Sequence, residues 1–188
     1  ANDEMGERVA QLEKARDQAQ KEATAYANLL TTMMNMRDKV SGYNIPTREK
    51  IYNENKDYGT LPDYMKEGIT FKNELDGSEI PIANKLDSGA LSAESNPGKA
   101  VVDWLTKTLI QLNATIAGYQ DLKDNADSAL KNAQDKLDSA TANKAYADAM
   151  YVMAQQTAEQ INNLVLAQED DWANKVGTVQ QNFMTNYD

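Results

Sequence analysis

The 188-residue sequence predicts an all-α protein, an antiparallel three-helix bundle of long helices carrying a small, irregular, mostly helical appendage between the first and second helices. Three observations predict it. Apolar residues recur at alternating spacings of three and four over three long stretches, the pattern of helices packed along their length. Prolines 46, 62, 81 and 97, and five of the nine glycines, fall within residues 43–98. Hydrophobic content is 41% but aromatics only 7%, the composition of a thin core rich in small side chains.

The first stretch, residues 1–42, places Val9, Leu12, Ala19, Ala23, Tyr26, Leu30, Met33 and Val40 in one seam, with Arg16 and Arg37 filling the same register. Ser41-Gly42 marks its end, glycine being suited to the left-handed position after a helix. The appendage spans residues 43–98. Short helices are expected at 47–55 and 63–67, each just after a proline. Asp57-Tyr58-Gly59 and Asp76-Gly77-Ser78 read as turns, and Ile80-Pro81-Ile82 as too short to found a sheet.

Residues 99–188 hold the second and third stretches. Leu105, Leu109, Leu112, Ile116, Tyr119, Ala126, Leu130, Ala133 and Leu137 continue the alternation, with Lys123 interrupting it and Asn96-Pro97 as the entry. A break is expected across 139–143, where Thr141 or Asn143 would cap a new helix. Beyond it Tyr146, Met150, Met153, Thr157, Ile161, Leu164, Trp172, Val179 and Phe183 share a face. Matched lengths favour an antiparallel bundle over one extended coiled coil, which would leave three apolar stripes needing three partners.

The chemistry points away from catalysis. No histidine and no cysteine occur, which removes the usual bases, nucleophiles, zinc ligands and disulfides. Phosphate-cradling and dinucleotide-binding glycine patterns are missing. The acids Glu169-Asp170-Asp171 point in different directions on a helix, and Asp121, Asp124 and Asp127 lack the glycine and terminal glutamate of a calcium loop. We therefore expect no enzyme activity, metal or cofactor. A net charge of −10, with 19 basic residues scattered among 29 acids, disfavours nucleic acid and anionic membrane surfaces. No run approaches the ~18 apolar residues that span a bilayer.

Candidate protein-interaction residues are Tyr43, Tyr52, Tyr58, Tyr64 and Phe71, concentrated in the appendage, since tyrosine joins a large apolar face to a polar tip. Met34 and Met36 are added because they fall off the seam. Met33, Met150 and Met153 fall on it and are expected in the core.

Over nearly its whole length the chain resembles the minor pilus subunits of type IV secretion systems, the TraC-like proteins of conjugative plasmids. The features carrying the resemblance are the long alanine- and glutamine-rich first helix, the Leu61-Pro62 step in the insert, and Lys144-Ala-Tyr-Ala-Asp148 followed by Asn162. Val152 and Gln156 depart from the family pattern. The resemblance implies a non-catalytic protein, exported after signal-peptide removal to the periplasm and the cell surface. It would associate with other pilus and secretion-channel subunits and contact a receptor on a recipient or host cell. The alternatives are a cytosolic coiled-coil adaptor or secretion chaperone, and a helical tip protein of another secretion machine such as type III.

Overall fold

The computed structural model of the chain describes residues 2–44, 61–87 and 97–187. Their order is helix α1 (Asn2–Ser41), helix α2 (Asp63–Glu67), strands β1 (Ile69–Lys72) and β2 (Glu79–Ala83), and helix α3 (Pro97–Tyr187). The expected helix at 47–55 and the turn at 57–59 lie outside the described residues.

α1 ends at Ser41, and the Gly42 amide closes the last turn on the Asp38 carbonyl at 2.9 Å. The expected left-handed glycine is not there: among described residues positive φ occurs only at Gly68 and Gly77. Gly42 is required for a different reason. A Cβ at that position would stand 2.9 Å from the Asp38 carbonyl oxygen.

The chain divides into two compact units, Leu12–Asp135 and Ala1–Gln11 with Lys136–Asp188. α1 and α3 each contribute to both. In the 12–135 unit they pair antiparallel, Arg16 meeting Gln134 and Tyr26 meeting Tyr119. The predicted seams supply the contacts: Leu12, Ala23, Leu30, Met33 and Val40 of α1 are buried, as are Leu105, Leu112, Ile116 and Ala126 of α3. The core continues into the insert, where Leu61, Met65, Ile69, Phe71, Ile82 and Leu86 join the same cluster.

The insert is not mostly helical where it is described. β1 and β2 form an antiparallel hairpin with Thr70 opposite Pro81 and Lys72 opposite Glu79. Two features make so short a pair persist. Alternation in Ile69-Thr70-Phe71-Lys72 turns Ile69 and Phe71 into the core. The turn is built by Gly77 at φ 73°, by amides of Gly77 and Asn73 bonding Asn73 and Ser78 carbonyls at 2.8 Å, and by Asp76 accepting from Ser78. Pro81 is tolerated in a two-stranded sheet, which leaves one side of each strand unpaired.

Two long helices stand where the sequence predicts three. α3 begins at Pro97, a position where a missing amide costs nothing, and runs 91 residues without interruption at 139–143. The reason is local. Ser139-Ala-Thr-Ala-Asn143 contains neither glycine nor proline, and residues with modest helix propensity do not stop a helix already propagating on both sides. The salt bridge between Lys144 and Asp148 at 2.7 Å links successive turns just beyond it.

In the other unit, a Cβ at Gly6 would lie 3.8 Å from the Lys144 side chain, and Leu137 is buried.

Candidate functional surfaces

The residues chosen from sequence as an interaction set fall into three groups. Phe71 is buried in the core through its place on β1 and is no surface residue. Tyr43, Tyr64, Met34 and Met36 are half-buried and pack against that core. Tyr64 stacks on Trp104 of α3, with ring centroids 6.1 Å apart and 24° between planes. Tyr52 and Tyr58 lie outside the described residues. The aromatics thus tie the insert to the helices more than they project from it.

Trp104 is the anchor the sequence reading passed over. Its indole Nε1 donates to the Asn84 carbonyl at 2.8 Å, just after β2, while the Leu86 amide donates to the Met65 carbonyl at 2.7 Å. An open groove runs beside this junction, lined by Asn84, Asp87, Asp103, Trp104 and Lys107. Its mixed lining presents no convergent set of charges.

The charged residues form surface pairs. Arg16 bonds Asp17 at 2.7 Å and the Gln134 amide oxygen at 3.1 Å, and Arg37 reaches Asp38 at 3.4 Å, so both seam arginines turn to neighbours. Lys123 bonds Asp127 at 2.7 Å, which raises the lysine pKa. Burial raises the Tyr119 pKa, with Tyr26 beside it adding to the effect. Hydrogen bonds from Ser78 lower that of Asp76. Asp171 pairs with Lys175 at 3.0 Å, and among described residues no three acids converge on a point that would hold a metal ion. No helix, again among described residues, is long and apolar enough to cross a membrane.

Among the described residues, most exposed large apolar side chains lie on α3 beyond residue 145. Tyr146, Met150, Met153, Ile161, Leu164, Trp172, Val179 and Phe183 are all exposed, by between 41% and 69%. These residues read from sequence as the buried seam of a third helix. Met150 and Met153, expected in the core, are among them. Their spacing is regular: Met150, Ile161, Trp172 and Phe183 stand at intervals of 11, and so do Met153 and Leu164.

No family model, curated protein or solved structure matches the chain.

Proposed function

We propose that the chain is a non-catalytic, pilus-associated component of a bacterial type IV secretion or conjugation system. In this reading it is exported to the periplasm and cell surface, and acts in pilus assembly and adhesion to recipient or host cells. The support is the residue-level resemblance around Lys144-Ala-Tyr-Ala-Asp148. There Lys144 and Asp148 are spent on each other, 2.7 Å apart, and Tyr146 between them is 69% exposed. Long helices suit attachment to other subunits, and the insert suits presentation to a receptor. The helix-facing aromatics Tyr43 and Tyr64 hold the insert to α1 and α3 in this scheme, which leaves recognition to Tyr52 and Tyr58.

The test is genetic. A strain lacking the chain should lose DNA transfer or cell attachment, and transfer at the normal frequency sinks the reading. Complementation with Tyr52→Ala and Tyr58→Ala together should restore a folded chain but not full transfer. Full restoration removes the insert from adhesion.

A second reading, a coiled-coil adaptor or secretion chaperone, is favoured by the exposed stripe on α3. Cell fractionation separates the two, since an adaptor stays in the cytosol.

A further inference from the structure

We infer that the apolar stripe of α3 is a self-association face, and that its occupant is the same stripe of a second copy, laid antiparallel about a twofold axis near Leu164. The inference stands on the face itself and is independent of the pilus reading.

The stripe is built as a helix-pairing face. Large apolar side chains recur every 11 residues at Met150, Ile161, Trp172 and Phe183, with Met153 and Leu164 three residues beyond the first two and Lys175, paired to Asp171, in the corresponding place of the third repeat. An 11-residue repeat, about 3.67 residues per turn, keeps a seam in line between two helices that are straight or coil slightly to the right. Over residues 146–183 that seam runs roughly 55 Å. Six or more large side chains leave on the order of 800 Å² per copy exposed, the amount each partner contributes to a standard stable interface.

Among the described residues no other apolar face is free to cover it. Among described residues no large hydrophobic side chain of α1 is exposed. The first half of α3 offers Val102, Ile110 and Leu122, whose separations of 8 and 12 residues spread them around the helix. A second copy supplies a matching seam along its whole length.

Charge allows the approach and selects the direction. The chain carries −10, yet the middle of the stripe, residues 149–168, holds one charged side chain, Glu159, so the two central segments meet with little repulsion. In parallel register the triads Glu169-Asp170-Asp171 would lie side by side. Antiparallel pairing about Leu164 moves them roughly 16 Å apart along the axis, about twice the screening length of physiological salt, ~8 Å, and leaves only the lesser meeting of Asp170 with Glu159 of the second copy, both two positions off the seam. The same register sets Thr157 opposite Trp172 and Met150 opposite Val179, a small residue facing the largest one.

The full chain should elute with a mass twice 20.8 kDa in light-scattering chromatography at tens of micromolar. Ile161→Glu with Leu164→Glu, both at exposed positions, should leave helicity and the melting of the monomer unchanged. These changes place unpaired carboxylates in the pair and should raise its dissociation constant roughly 100-fold or more. Because the chain has no cysteine, cross-links report direction cleanly. A mixture of Met150→Cys and Val179→Cys chains should form a heterodisulfide, and neither variant alone should link. A monomer, an assembly of another order, a dimer indifferent to the glutamates, or self-linking of Met150→Cys would each overturn the proposal.

Discussion

The 12–135 unit and the α3 segment from 146 to 183 carry the same kind of apolar spacing and meet opposite fates. In the first, Met33, Met65, Val101 and Leu112 are wholly buried. In the second, Trp172 is 69% exposed and Leu164 65%. Periodicity states which side chains share a face of a helix; it carries no information about what lies across from that face. In the 12–135 unit the answer is the antiparallel partner helix together with the hairpin. On the later segment no described part of the chain supplies one.

The largest expected effect follows directly from this contrast. Leu105→Ala removes a side chain 2% exposed from the middle of the core and should cost about 2–5 kcal/mol in chemical denaturation. Trp172→Ala, a larger truncation, should leave the stability of the dilute monomer within about 0.5 kcal/mol of the parent chain, as exposed substitutions do. Comparable losses from the two would mean that the stripe is covered in the folded monomer, and the contrast would collapse.

Much of the helical pairing was legible in the sequence. The seams of the first and second stretches name the residues that are buried or half-buried between α1 and α3, because a 3.6-residue period fixes a face whatever the tertiary detail. The break at 139–143 was misread for a definable reason. Ser, Thr and Asn are good caps where a helix begins, but they also sit within helices at modest cost, and nothing in 139–143 forces the run to end. The hairpin carried a signal that a four-residue strand makes easy to miss: the alternation in Ile69–Lys72 followed by Asp76-Gly77. Tyr64 and Phe71 were read by residue type as interface residues. Tyr64 stacks on Trp104, 40 residues away, and Phe71 enters a core drawn from several elements, which composition cannot report.

A smaller effect tests how tightly the hairpin is joined to the core. Gly68 sits at φ 83°, ψ −178°, a region that only glycine populates freely, and a Cβ there would fall 2.6 Å from the Ala83 carbonyl oxygen. Gly68→Ala should therefore destabilise the 12–135 unit by about 1–3 kcal/mol. Gly118, inside α3 with open space around it, provides the opposite sign. Gly118→Ala should stabilise by up to about 1 kcal/mol, because alanine favours the helix. Thermal melts of both variants read the difference. If Gly68→Ala melts with the parent chain, the hairpin is not coupled to the core.

The smallest effect concerns the hairpin turn and depends on pH. The Ser78 hydroxyl and amide donate to Asp76 Oδ1 at 2.6 and 2.9 Å, and these bonds favour the carboxylate, so the folded pKa lies below the ordinary value of 3.8. A lowered folded pKa means that the unfolded chain binds the proton first, so folding stability from this group is complete above about pH 4 and falls as the pH drops through the folded pKa. Asp76→Ala should lower the melting midpoint slightly at neutral pH, and the gap to the parent chain should close on acidification. The carboxylate is fully exposed, so added salt should narrow the gap as well. A gap that stayed constant down to pH 2 would assign the effect to loss of the side chain's shape rather than its charge, and would leave Gly77 as the residue that sets the turn.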